Sequence, residues 1–132
     1  MLDTNICIFL LTKRKPAYFQ KLDELQNKIN NRIAISAIVL SELQYGISNS
    51  QQPERNQKDL NILLSKLEIL PYSETCAAFY GNIRSTLKKS GCLISGNDLL
   101  IASHAIAEDA ILITNNIKEF RRIDGLIVEH WE

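Results

Sequence analysis

Residues 110 to 114 read Ala-Ile-Leu-Ile-Thr, apolar up to the last member, and two asparagines follow at once. A run this short and continuous fits a strand covered on both faces. Such strands lie inside parallel sheets, and neighbouring parallel strands need a crossover between them, usually a helix. The rest of the chain supplies the alternation. Met1 to Asp3 reads as the end of a first strand, and Asn5 to Leu11 as a short helix. Ala17 to Lys28 carries Phe19, Leu22, Leu25 and Ile29 at helical spacing. Arg32 to Ser36 reads as a strand, Ala37 to Ile47 as a helix, and Asp59 to Leu67 as another, with the polar stretch Ser48 to Lys58 and its Pro53 as the turn between them. Glu68 to Leu70 is a third strand and Glu74 to Lys88 a long helix stopped by Gly91. Asp98 to Glu108 is a helix apolar on almost every side, so it is expected to be buried. Ile117 to Ile123 and Leu126 to Val128 complete the series as a short helix and a last strand. The expected fold is α/β around a mostly parallel sheet of four to five short strands.

Length and composition narrow the class. At 132 residues the expectation is one domain over 1–132. Hydrophobic residues at 45% and charged residues at 23% exclude a disordered chain. The longest apolar run, Ile6 to Leu11, is far below the roughly 20 residues of a membrane span. It also fails as a secretion signal, since Asp3 precedes it and Lys13, Arg14 and Lys15 follow. Cys7, Cys76 and Cys92 form no C-x-x-C pair and read as reduced thiols. A cytoplasmic protein without a membrane partner is expected. Lysines and arginines number 15 and acids 15, which excludes a strongly basic nucleic-acid coat but not a local basic patch.

Open parallel sheets place their sites beyond the carboxyl ends of the strands, and acids gather there. Asp3 ends the first strand, where it also suits a helix cap. Glu42 lies inside a helix among Ile38, Val39 and Gly46, a face on which a bare carboxylate is costly. Asp98 opens the buried helix, with Asn97 beside it as a cap. Asn115, Asn116 and Glu119 follow the strand AILIT, where Asn-Asn is also an ordinary turn signal. Carboxylates gathered at one sheet end repel one another unless a cation lies among them. Oxygen donors without His or Cys point to a hard ion, Mg²⁺ or Mn²⁺. Such ions serve phosphodiester chemistry.

Four blocks carry a family resemblance: LDTNICIFL (Leu2 to Leu10), ISAIVLSELQYG (Ile35 to Gly46), YGNIRSTLKKSGCLISGNDLLIASHAIA (Tyr80 to Ala107) and ILITNNIKEFRRIDGLIVEHW (Ile111 to Trp131). In this order and spacing the sequence resembles a PIN-domain ribonuclease, more narrowly the VapC toxins of type II toxin–antitoxin pairs. The resemblance implies a three-layer α/β/α domain with strand order 3-2-1-4-5. It assigns Asp3, Glu42 and Asp98 to the metal site. It offers Glu119 as the fourth acid and Asn116 as a neutral ligand. Thr4, Asn5 and Thr114 become groups that orient carboxylates and waters. It implies Mg²⁺, with Mn²⁺ as a substitute, and hydrolysis of RNA to a 5′-phosphate and a 3′-hydroxyl, with a tRNA anticodon loop as the substrate. Lys13, Arg14, Lys15, Lys88, Lys89, Arg121 and Arg122 are the basic residues available to an RNA backbone. A VapB-type antitoxin and a second copy of the chain are the implied partners, with apolar residues in Ala17 to Lys28 and Ile62 to Leu67 available to either. Two departures stand out. Only Met1 and Leu2 precede Asp3, so the central strand is expected to be weak. Ser95 stands where a glycine is usual, leaving Gly96 to supply any close backbone approach before Asp98.

The rival readings are fewer. A phosphate-receiver domain needs an aspartate at the end of its third strand, where this chain has Leu70-Pro71-Tyr72. A serine hydrolase needs a G-x-S-x-G elbow, which the sequence lacks. His104 and Glu108 are one helical turn apart but have no third zinc ligand, and His104 reads as a packing group. A non-catalytic PIN-like RNA-binding or interaction module is the alternative that retains the fold.

Overall fold

The computed structural model describes residues 1–28 and 31–131; Ile29, placed by its spacing on the second helix's apolar stripe, lies outside the described residues. The elements are α1 (Thr4–Thr12), α2 (Pro16–Gln26), β1 (Ala34–Ser36), α3 (Ala37–Ser48), α4 (Pro53–Leu64), β2 (Glu68–Leu70), α5 (Glu74–Lys89), α6 (Gly96–Ala107), β3 (Leu112–Ile113), α7 (Ile117–Phe120) and β4 (Val128–Glu129). This is the expected α/β alternation. Every residue of β1 and β3 is buried, so helices cover these strands on both faces.

The strands form two parallel ladders. β1 pairs with β2, Ala34 opposite Glu68 and Ser36 opposite Leu70. β3 pairs with β4, Leu112 opposite Val128. The N-terminal segment joins the ladders. Leu2 bridges to Ile113 in parallel and donates its N–H to the Ala34 carbonyl at 2.9 Å. The Asp3 N–H reaches the Ile113 carbonyl at 2.9 Å, and the Ile113 N–H reaches the Met1 carbonyl at 2.9 Å. The spatial order is therefore β2, β1, Leu2, β3, β4, which is 3-2-1-4-5 when the N-terminal segment counts as the first strand.

The boundaries shift for identifiable reasons. α4 begins at Pro53 rather than Asp59, because Pro53 occupies the first turn, where its missing N–H costs nothing. The polar stretch is thus largely helix. Ser95, not Asn97, caps α6 by accepting the Asp98 N–H at 3.3 Å. Gly96 makes no close approach, since a Cβ added there would meet nothing within 4 Å. Gly91 does stop the helix before it, with φ +69°. The strands keep only their paired residues, so β1 starts at Ala34 instead of Arg32 and β3 spans Leu112–Ile113 instead of Ala110 to Thr114. β4 moves to Val128–Glu129 and α7 ends at Phe120. Among the cysteines, all free, Cys7 and Cys76 are buried and Cys92 is exposed. Burial pushes the Cys7 thiol up to about 12, which makes it inert.

The core gathers Leu2, Ile6, Leu10, Ile35, Val39, Leu60, Leu99, Ile101, Ala102, Leu112 and Phe120. Tyr18 is buried in it, edge-on to Phe9 and Trp131 at 5.8 and 5.4 Å. The helices carrying acids are therefore seated on a packed interior. No helix among the described residues is long and apolar enough to cross a membrane.

Candidate active site

A cleft of about 480 Å³ opens where Leu2, β1 and β3 end, lined by Asp3, Thr4, Asn5, Ile8, Glu42, Asp98, Asn115 and Asn116. Asp3 is there because the first strand ends on it and α1 begins immediately after. It caps that helix, its Oδ1 accepting the Thr4 N–H at 2.8 Å. The cap and the acid are one residue, so both sequence readings of Asp3 hold. Oδ2 takes the Thr114 hydroxyl at 2.6 Å and the Asn5 amide at 3.4 Å. The chain of bonds continues. The Asn116 N–H donates to Thr114 Oγ1 at 2.9 Å, and its Nδ2 donates to Asp98 Oδ2 at 3.2 Å. Asp3 and Asp98 are thus tied together through Thr114 and Asn116. A second branch fixes the floor: the Asn115 N–H donates to Asn5 Oδ1 at 3.3 Å, and the Tyr18 hydroxyl to Asn115 Oδ1 at 3.1 Å.

Glu42 enters from α3, its carboxylate half-buried, and Oε1 is buried without a hydrogen bond. The Thr4 hydroxyl faces it, short of hydrogen-bond geometry but near enough to favour the charged form. All three carboxyls hold their protons more tightly than usual. Burial raises Asp3 first, Thr114 and the Thr4 N–H pull it back, and the charge of Asp98 adds to the rise. Burial raises Glu42, opposed by the Thr4 hydroxyl and reinforced by Asp3 and Asp98. Burial raises Asp98, opposed by Ser95 and Asn116 and reinforced by Glu119. Each acid feels another acid, the electrostatic state that a bound cation relieves.

Asp3, Glu42, Asp98 and Asn116 therefore meet, with Thr4, Asn5 and Thr114 around them. Glu119 does not line the cleft; it sits on α7 and acts on Asp98 through its charge. Asn116 turns its amide nitrogen towards Asp98, which makes it a carboxylate-holding group in this structure. Among the described residues, no three acids or histidines close into a finished metal cage. The donor set still fits a hard divalent ion: oxygen ligands only, mutual repulsion, and one buried carboxylate oxygen without a partner. Ile8 was absent from the sequence reading of the cleft. Ile8 stands one turn beyond Asn5 and so was visible in principle at helical spacing.

The basic residues fall into two groups. Arg14 and Arg121 are exposed. Lys15 lies over the Phe9 and Tyr18 rings at 5.5 and 5.7 Å. Arg122 donates to the Leu93 carbonyl at 3.2 Å.

A short-stranded parallel sheet carries an acid-lined cleft at its carboxyl end, and residues 1–126 match the family described as PIN domain. The chain belongs to the PIN-domain family. Its relatives within the family are VapC ribonucleases. It is 54% identical to ribonuclease VapC2 of Rickettsia felis over 132 residues, covering 100% of this chain and 97% of that one. It is 40% identical to the tRNA(fMet)-specific endonuclease VapC of Shigella flexneri, covering 99% of this chain and 96% of the other. In the crystal structure of VapBC2 from Rickettsia felis bound to a DNA fragment from their promoter, one chain superposes with a TM-score of 0.95 at 54% identity, covering 100% and 98% of the two.

Proposed function

We propose that this VapC-type ribonuclease is a divalent-metal-dependent toxin that cuts a structured RNA, with a tRNA anticodon loop as the substrate. The observation that carries the reading is the cleft itself, where Asp3, Glu42 and Asp98 converge with raised pKa values and Glu42 Oε1 is buried and unpartnered. Asp3, Glu42 and Asp98 would hold Mg²⁺, or Mn²⁺ in its place. When bound, the ion polarises the scissile phosphate and lowers the pKa of a water at neutral pH.

The chain's own residues do the positioning. Thr114 and the Thr4 N–H fix both oxygens of Asp3. Asn116 fixes Asp98 against Asp3 through the shared Thr114 hydroxyl. Thr4 stands over Glu42. Glu119, at the edge, is the fourth acid in this proposal and adds negative charge beside Asp98. The open cleft suits a single strand or loop whose backbone can be drawn in. Exposed Arg14 and Arg121 are its backbone contacts, with Lys15 and Arg122 as flanking charge.

The VapBC assembly of the Rickettsia felis relative supports a VapB-type antitoxin as partner. An apolar groove between α1, α2 and α4, lined by Leu10, Leu11, Phe19, Leu22, Ile62 and Leu63, offers such a partner a seat. A homodimer and a cytoplasmic site of action belong to the same proposal.

The test is cleavage of total tRNA with Mg²⁺ or Mn²⁺, comparing wild type with Asp98→Asn and adding chelator. New 5′ ends are sequenced. A discrete cut in one loop, lost with the variant and with chelator, is the expected result. A folded wild type that binds no Mn²⁺ and leaves every RNA intact would overturn it.

A further inference from the structure

His104 is a buried titratable side chain outside the cleft, fully enclosed on α6. Its Nδ1 lies 2.7 Å from Ser36 Oγ, itself fully buried. Ser36 ends β1 and caps α3, its Oγ accepting the Ile38 N–H at 3.0 Å. The hydroxyl has one proton and a second lone pair left for Nδ1, so the imidazole tautomer decides which of the two donates. Nε2 has no hydrogen bond; Glu108 Oε1 stands off at 3.8 Å. Tyr72, in the turn after β2, meets the ring edge-on at 5.7 Å. Burial holds His104 below the ordinary histidine range, against the pull of Glu108, in keeping with a neutral ring.

The placement of this bond gives it a consequence. Asp98 lies six residues before His104 on α6, about 9 Å along the axis. Glu42 lies six residues after Ser36 on α3. The bond therefore clamps together the two helices that deliver two of the three carboxylates, at one remove from both. We propose that His104 is a positioning residue, holding the helix of Asp98 against the helix of Glu42 through Ser36. This rests on the reading of the cleft as a divalent-ion site.

His104→Phe keeps an aromatic ring in the space and removes the unpaired Nε2, so the fold keeps most of its stability. His104→Asn returns an acceptor near the place of Nδ1. Mn²⁺ affinity is measured by calorimetry, cleavage by single-turnover rate, and folding by urea titration. His104→Phe is expected to weaken Mn²⁺ binding about tenfold and slow cleavage to match, with His104→Asn recovering most of the loss. Ser36→Ala, which leaves the ring in place, gives a similar loss, and adding His104→Phe to it costs little more. Wild-type affinity in a folded His104→Phe protein overturns the proposal. So does a His104→Asn protein no better than His104→Phe, which would assign the residue to packing. If His104→Phe does not fold, Ser36→Ala decides alone: unchanged Mn²⁺ affinity overturns the proposal. Absence of Mn²⁺ binding in wild type overturns the reading of the cleft, and the positioning role with it.

Discussion

Asp98 is held by Asn116 and by the Ser95 end of α6, and it is pressed by the charge of Glu119. Its raised pKa links catalysis to stability. An unfolded aspartate titrates near pH 4. A carboxyl that binds its proton more tightly when folded contributes stability fully below that range and loses it as pH rises through the folded value. The urea midpoint of metal-free wild type should therefore fall relative to Asp98→Asn as pH rises from about 4 towards 7; a constant difference would rule out the repulsive cleft. Thr114→Val tests the other side, since it keeps the shape and removes the hydroxyl that holds Asp3 Oδ2. Cleavage should slow by roughly 10- to 100-fold, and the urea midpoint should fall as well, since the Asp3 carboxylate and the Asn116 N–H both lose a partner. Glu42 was legible in the sequence because a carboxylate on an apolar helix face is costly without a purpose, whereas Asp3 and Asp98 stood out by their places at a strand end and a helix start and were joined to it by the family resemblance. The division of labour between Asn116 and Glu119 was not, because it depends on which side chain the turn after β3 aims into the cleft. The Ser36–His104 contact was illegible too, joining residues 68 positions apart.

The elements were legible in kind more than in extent. The apolar run at 110 to 114 announced a covered strand, but only Leu112 and Ile113 find partners in β4. Pro53 reads as a turn in isolation and in fact opens α4, since proline suits both a turn and a first helical residue. The start of α6 shows the same limit. Asn97 looks like the cap, yet Ser95 takes the Asp98 N–H. Ser95→Ala should cost about 1 kcal/mol in urea unfolding and lower Mn²⁺ affinity as well, because the cap also anchors the turn that presents Asp98. A loss of stability with metal affinity intact would separate the two roles.

For the whole molecule, the strand order came from the family resemblance, whereas the division of the sheet into two ladders needed coordinates. Net charge bears on RNA. With 15 basic and 15 acidic side chains the surface is no polycation, and Arg122 is already bonded to a backbone carbonyl. RNA affinity should weaken with salt at a log–log slope of only about 2 to 3; a slope near 6 would reveal a broader basic footprint. The seam at Leu2 also predicts uneven protection. The amides of Leu2, Asp3 and Ile113 should exchange hydrogen through partial opening, ahead of Ile35 in β1, and saturating Mn²⁺ should slow them. Equal protection throughout would show one cooperative sheet. Glu42 follows the β1 ladder, Thr114 and Asn116 follow β3, and Asp3 sits on the join. The cleft is thus assembled across a join that the first three residues make. Opening that join would part Asp3 from Thr114, and with them the carboxylates that Thr114 and Asn116 hold together.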